Sequence, residues 1–393
     1  MTAMLVPLIG APLAITGLVA GTTLKATGHN IAFGLINPAQ ITLTEDLVMT
    51  ISDTIFDNIY MNPKINLVHV IEEDIVAKKQ IVFIGLLSKI TKADAGCNTS
   101  PQSTSITMSE KFWNPAPVKY WLQQCANDLE TSFFVWSLKK GIERKDLEDT
   151  DFAAFIIERM ETALAEDMLR IVWFNDLDAA HYNDSPAGVI TNGVDITDYN
   201  IIEGLWEQIY AAVALNSARK TVAITKNAGV TYALQAFDAT DTTNKVVHSY
   251  LQSVIDNADT RLSEQESDVI LVTKSVFDQY KKELKTYTAI LPSYEMVLNG
   301  VPTSGLTFDG IPIIRMDLWD RTIRADYDNG TVWYKPHRIL FTVKENIPVG
   351  VDGMKGASSF SSFYLPKEET TNWKGAYKID TKLLKEYLFA TAY

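Results

Sequence analysis

The run Asp149-Thr-Asp-Phe-Ala-Ala-Phe-Ile-Ile-Glu-Arg-Met-Glu-Thr-Ala-Leu-Ala-Glu-Asp-Met-Leu-Arg-Ile-Val-Trp-Phe174 decides how the rest of this sequence is read. It contains neither Gly nor Pro. Phe152, Phe155, Ile156, Met160, Ala163, Leu164, Met168, Ile171 and Val172 recur at helical three-and-four spacing, while Glu158, Glu161, Glu166 and Arg170 fall largely off that stripe. Thr150 is the expected N-cap, and Asp149 and Asp151 put negative charge at the positive end of the helix dipole. At ~1.5 Å per residue, about 25 residues make a rod of roughly 37 Å. A typical globular helix has only ~11–12 residues. Such a rod crosses a large domain or serves as a strut.

Before the rod, the sequence looks drawn out. Met4–Ala20 is apolar but has no basic residue ahead of it, since the first is Lys25, and it is broken by Pro7, Gly10, Pro12 and Gly17. It reads as an extended arm; a locally packed terminus and a signal peptide are the alternatives. Ile41–Asn58 has a helical stripe, and Pro63 breaks it. Two β-type runs follow, Asn66–Ile71 and Gln80–Gly85, separated by the charged patch Glu72, Glu73, Asp74, Lys78 and Lys79. The segment Lys92–Ser105 is polar and turn-rich, and Ile106–Trp113 reads as one more strand. Together these predict a long hairpin with a polar tip. Trp113-Asn-Pro-Ala-Pro117 is a turn, and Val118–Leu138 reads as a helix with Trp121, Leu122, Cys125, Leu129, Phe133 and Trp136 on one face.

After the rod, helix and strand alternate, as in a compact α/β unit. Asn192-Gly193 is a hairpin signal, Asp198 caps a helix over Tyr199–Ala214, and Ala239–Asn244 is a polar linker. A helix carrying Val246, Tyr250, Leu251 and Ile255 follows, then the buried strand Val269–Thr273 and the helix Phe277–Leu284. The last third is mostly β: turns at Asn299-Gly300, Asp309-Gly310, Asn329-Gly330 and Asp352-Gly353 separate strands Ile311–Arg315, Val332–Tyr334, Ile339–Val343 and Ala376–Ile379.

The chain has 393 residues, enough for two or three domains, with 47% hydrophobic and 21% charged residues, the balance of a folded protein. Its net charge of -13 argues against a protein that grips nucleic acid through a basic surface. Cys97 and Cys125 belong to no metal spacing and read as free thiols, with a disulfide between them left open.

The signals for chemistry are weak. In Gly350-Val-Asp-Gly-Met-Lys-Gly356 the Lys precedes its Gly, so the segment is a turn and not a phosphate loop. Asp176, Asp178, His181 and Asp184 lack the Gly and closing Glu of a calcium loop and read as a solvated connector. His337 has no Ser or Cys nucleophile motif to serve and reads as a structural or interface residue, and His29, His69 and His248 as structural ones. Trp319, Trp333 and Trp373 are candidates for subunit contacts. No catalytic, cofactor-binding or metal-binding residue is assigned; the reading is a protein that is not an enzyme. An α/β hydrolase or transferase remains the competing class on composition.

The order of parts (arm, long two-stranded loop, long helix, α/β unit, returning β segment) resembles the major capsid protein of tailed bacteriophages, of the Hong Kong 97 type. The segments Gly310-Ile-Pro-Ile-Ile-Arg-Met-Asp317 and Lys335–Gly350 are similar to the closing strands of such coat proteins. Trp113–Leu129 and Gly141–Leu147 look like those of phages infecting Bacteroidetes hosts. The resemblance implies an α+β fold with an N-terminal arm (1–60) and an extended β-hairpin loop (61–112). It implies a peripheral domain with the rod as spine (113–180, with 331–393 returning to it) and an α/β axial domain (181–330). It also implies hexamers and pentamers that close an icosahedral shell around double-stranded DNA in the virion head, assembled in the host cytoplasm. Portal protein and separate scaffold or decoration proteins would be partners, with no membrane and no cofactor. A fused scaffold does not fit a loop that starts near residue 62. Some relatives form a Lys–Asn cross-link between subunits; Lys78 and Lys79 could supply the amine, but none is expected here. A bacterial nanocompartment shell, which shares the fold, is the alternative.

Overall fold

The structure is a computed structural model that describes residues 63–84, 108–125, 149–265, 267–287, 294–298, 301–353, 361–365, 367 and 370–393. The arm, the helix expected over Ile41–Asn58, the tip of the loop, Cys97 and residues 126–148 lie outside them. In chain order the elements are α1 (Pro63–Val68), β1 (Ile71–Glu72), β2 (Lys79–Ile84), β3 (Met108–Trp113), β4 (Ala116–Cys125) and α2 (Asp149–Phe174). Next come α3 (Leu205–Leu215), β5 (Lys220–Val222), α4 (Ala239–Asn244), α5 (Val246–Asp256), β6 (Asp268–Val272) and α6 (Lys274–Tyr287). The hairpin strands β7 (Tyr294–Leu298) and β8 (Val301–Gly305) precede β9 (Thr307–Phe308), β10 (Ile311–Arg315) and α7 (Asp317–Asp326). The chain closes with β11 (Ile339–Val343), β12 (Val349–Val351), β13 (Ser361–Leu365), β14 (Thr370–Thr381) and β15 (Phe389–Ala392).

The described residues fall into two compact units. The smaller holds 122–125, 149–160, 362–365, 367 and 370–373, including the buried Met160 and Trp373. The larger holds the remainder and carries a six-stranded sheet ordered β5-β15-β11-β6-β10-β9. Strands β6 and β10 are parallel, with Ile313 opposite Ile270. A right-handed crossover through α6 is the usual way to join such a pair. The run Val269–Val272 is buried throughout, as its unbroken apolar sequence predicts. Ile270 and Val272 meet Ile339, Phe341 and Val343 of β11 and Val247, Leu251 and Val254 of α5 in one core cluster.

Helices in this unit cap one another. The first turn of α5 has no side-chain cap of its own, because Lys245 stands there in left-handed backbone at φ 55°. Glu283 of α6, 1% exposed, fills the gap by accepting from the Val247 and His248 amides at 3.0 and 2.9 Å. Asp320 of α7 does the same for α6 through the amides of Lys274 and Ser275. Free helix-end amides need such partners when buried.

Several expectations hold. The rod spans Asp149–Phe174, β10 and β11 have the expected bounds, and Ala376–Ile379 lies inside the longer β14. Asp309 and Gly310 both have positive φ, 50° and 85°, in the two-residue turn between β9 and β10. Leu164, Met168, Ile171 and Val172 of the rod are buried.

Others are corrected. Thr150 is already inside the rod, not its cap, and Ala163 is exposed. Of the expected strand Asn66–Ile71, Asn66–Val68 belong to α1 and only Ile71 is in a strand, β1: Pro63 opens α1, since a first-turn proline lacks only an amide that would go unpaired. The region from Val118 is a strand as far as it is described. Pro117, Lys119 and Trp121 face out while Ala116, Val118 and Tyr120 are half-buried, a period of two that the helical spacing of the larger apolar residues hid. The helix expected from Tyr199 starts at Leu205, and Asp195, not Asp198, caps the short 3-10 turn before it. Gly204 holds that start, its amide donating to the Asn175 carbonyl at 2.7 Å; a Cβ there would stand 2.6 Å from the same oxygen. Ala239–Asn244 is a helix and no linker, because Asp238 and Asp241 form a reciprocal capping box. Asn192-Gly193 makes a turn with no strands beside it, and Val332–Tyr334 contributes one bridge, Trp333 to Asp328.

Candidate assembly surface

The expected long loop has a defined base. Strands β2 and β3 pair antiparallel from Lys79↔Trp113 to Ile84↔Met108, and neither pairs with any other described strand. An isolated two-stranded ribbon is marginal in water and leaves two open edges, so its root has to be fixed elsewhere. Trp113 does this. It is fully buried, and a Cβ added to Gly350 of β12 would fall 3.0 Å from two of its ring carbons and 3.2 Å from Ile75. The Asn114 amide donates to Asp380 at 2.7 Å, and Lys111 donates to the Leu383 carbonyl at 2.6 Å. Asp380 is buried, and burial holds its carboxyl above the usual range despite Lys382 at 3.1 Å.

Away from the root the ribbon presents apolar groups to solvent. Val82 is 46% exposed and Phe112 is 36% exposed, with Lys78 4.5 Å above the Phe112 ring. On β4, Trp121 is 56% exposed between Lys119 and Lys374, 5.1 and 5.7 Å from its ring. Large exposed aromatics flanked by cations are what protein–protein contacts use, and no chemistry is built around them.

The other singled-out residues take structural places. His181 meets Asp184 at 3.1 Å and the Val194 carbonyl at 2.9 Å, and Asp176 accepts from the Asp178 amide, so the connector is tied by its own hydrogen bonds. The Val194 carbonyl, then Asp184, raises the His181 pKa. Among the described residues no group of three or more His, Cys, Asp or Glu could hold a metal ion. Glu166 pairs with Arg321 of its own chain at 2.8 Å; the side chains of Glu158 and Glu161 lie outside the described set. Trp319 is wholly buried against Trp173 and Trp206, at 4.6 and 4.9 Å between ring centroids, and Trp373 is buried too. Trp333 is half-buried and packs against the Tyr232 ring, tilted at 43° with centroids 4.4 Å apart.

One cavity, of about 270 Å³, tests the hydrolase alternative. Ser275 and His337 line it, with Ser275 Oγ 2.8 Å from His337 Nδ1, the first contact of a nucleophile–base pair. The rest of such a site is filled. His337 Nε2 bonds the Gln235 carbonyl at 2.6 Å, and burial pulls its pKa down to about 4, too weak a base near neutral pH. The α6 amides that would hold an oxyanion are taken by Asp320.

A chain of the structure described as the satellite phage P4 procapsid including size determination (Sid) protein matches over 87% of this chain and 90% of its own, with a TM-score of 0.50 and 11% identity. The fold resembles that of a phage shell chain. Matches also include the capsid of cyanophage P-SCSP1u (TM-score 0.43, 11% identity, 83% of this chain and 86% of that one). The SrpI encapsulin complex from Synechococcus elongatus PCC 7942 matches at a TM-score of 0.39, with 10% identity over 82% of this chain and 84% of that one. No protein-family model matches the chain, and no curated protein matches it in sequence.

Sequence reasoning missed the Trp113–Gly350 contact. A glycine inside a strand marks a close approach of another group, but local sequence cannot name a partner more than two hundred positions away.

Proposed function

We propose that this chain is a structural shell subunit, the major capsid protein of a tailed phage, whose copies assemble into hexamers and pentamers around double-stranded DNA. The observation that carries the reading is the match with the procapsid chain over 87% of this sequence. A ribbon rooted by Trp113, with open edges and exposed Val82 and Phe112, supports it, because such a ribbon gains stability by lying on a neighbouring copy.

In this reading residues 1–60 are the arm, 61–112 the extended loop, 113–180 and 331–393 the peripheral domain with α2 as spine, and 181–330 the axial domain. Strands β11 and β15 of the returning segment join the sheet that β5, β6 and β10 of the axial part begin. Many weak contacts made together hold the shell, and ring closure sets five- and six-membered capsomers. The surplus of negative charge keeps packaged DNA from adhering to the wall. The subunit performs no catalysis, works in the virion head after assembly in the host cytoplasm, and meets portal and separate scaffold or decoration proteins there. Trp113–Leu129 and Gly141–Leu147 support a phage of a Bacteroidetes host.

The test is negative-stain microscopy of the purified full chain, with nucleic acid content measured. Closed particles or capsomer rings support the reading. Small DNA-free shells around an enzyme cargo would turn it to a nanocompartment, and monomers or dimers alone would refute it.

A further inference from the structure

A chain with 48 acidic and 35 basic residues should leave few cations without a carboxylate, yet three stand together in the larger unit. Lys335 Nζ lies 3.7 Å from the ring centroid of Tyr210, 4.4 Å from that of Tyr393 and 4.8 Å from that of Tyr334. Lys220 Nζ lies 4.0 Å from the same Tyr393 ring, so the two amines share one aromatic platform. Both lysines are half-buried, and neither makes an ion pair among the described residues. Beneath them Arg338, 1% exposed, donates to the carbonyls of Lys335 and Tyr334 at 2.9 and 3.3 Å and has no carboxylate partner among the described residues.

The surroundings supply donors and few acceptors. The Tyr210 hydroxyl is buried without a hydrogen-bond partner. Burial, then the charges of Arg338 and Lys220, pulls the Lys335 pKa down to about 7, and Glu207 offsets this only in part. Glu207 is itself pushed up by burial and by Asp176 and Glu203, and it makes no ion pair with Lys335. Lys335 is also held at φ 45°, a left-handed backbone conformation that a non-glycine residue adopts only where tertiary structure imposes it.

We infer that Lys335 and Lys220, on the Tyr393 ring and above Arg338, form a cradle that receives a carboxylate side chain from a second copy of this chain. The choice of occupant follows from charge. With 48 acidic against 35 basic residues, a second copy carries carboxylates in excess of its own cations, and the other contacts between copies bring one of them to the two amines. Charge-assisted hydrogen bonds from two amines then hold it. The inference rests on the shell reading, and extends it to a specific contact.

Amine acetylation with an N-hydroxysuccinimide ester, read by peptide mass spectrometry, tests it. In dissociated subunits Lys335 should react fast at neutral pH. In particles its rate should fall about tenfold or more, because a neighbouring carboxylate raises an amine pKa by about one unit or more. The double variant K220M/K335M, with an unchanged far-UV spectrum, should need about tenfold more protein to assemble. Equal rates in particles and subunits, or normal assembly of a folded double variant, would overturn the cradle while leaving the shell reading intact. Protection of dissociated subunits by inorganic phosphate alone would overturn the intersubunit assignment in favour of a free oxyanion. Protection that disappears when particles are emptied of DNA would overturn it in favour of a nucleic-acid phosphate. Failure of the wild-type chain to assemble at any concentration would sink both readings.

Discussion

Replacing Gly350 by Ala tests how the ribbon is rooted. The added methyl would stand 3.0 Å from two carbons of the Trp113 ring and 3.2 Å from Ile75, tighter than ordinary van der Waals contact, so these neighbours must shift by a few tenths of an ångström. Trp113 and Ile75 are fully buried, so neither can swing into solvent. Overpacking of a closed core site costs about 1–3 kcal/mol, and we expect G350A to lose that much in urea denaturation. The cause is separable from backbone effects by a double-mutant cycle. W113L alone should cost less than the ~3–5 kcal/mol of a Trp→Ala truncation, but still several kcal/mol. G350A/W113L should then lose at least ~1 kcal/mol less than the sum of the two single variants, because the methyl enters the space the indole leaves. Penalties that simply add, or a G350A protein as stable as the wild type, would refute the packing argument and leave the ribbon without its anchor.

Three further outcomes follow from the same structure. E283A should lose about 1–3 kcal/mol, because two first-turn amides of α5 become unpaired, with E283Q losing less; amide exchange at Val247 and His248 should accelerate before the rest of the sheet opens. His337 has a folded pKa of about 4 against 6.5 when free, so its stabilisation is present above pH 6.5 and lost as pH falls through 4. Asp320, raised to about 6 by burial, runs the other way, its stabilisation fading as pH rises through 6, so the readout is the difference between wild type and H337N; a pH-independent difference would contradict this. Deleting Met1–Leu24 should abolish or alter assembly while the thermal unfolding of the remaining chain stays cooperative; normal particles from the truncated chain would show that the arm plays no part.

What the sequence disclosed depended on how many signals agreed. The Asp149–Phe174 rod combines spacing, flanking acids and the absence of breakers, and the structure reproduces its bounds. Strands β6 and β11 were legible because the apolar run Val269–Val272 and the run Ile339–Val343, broken only by Thr342, suit a sheet buried on both faces. Val118–Cys125 misled because Trp121, Leu122 and Cys125 fit a helical stripe, whereas β14 is a partner that local periodicity cannot reveal. Asn66–Ile71 failed in its first half because β-branched residues outweighed Pro63 as a helix opener. The Trp113–Gly350 root and the Lys335–Lys220 cradle join residues more than a hundred positions apart, so only the fold could bring them together.

The central claim is that copies of this chain build a closed shell. Electron microscopy of the purified full-length protein, with particle mass measured on the same sample, tests it most directly. The account predicts closed particles, or five- and six-membered rings, made of this one chain. A population of monomers or dimers at every protein and salt concentration would contradict it.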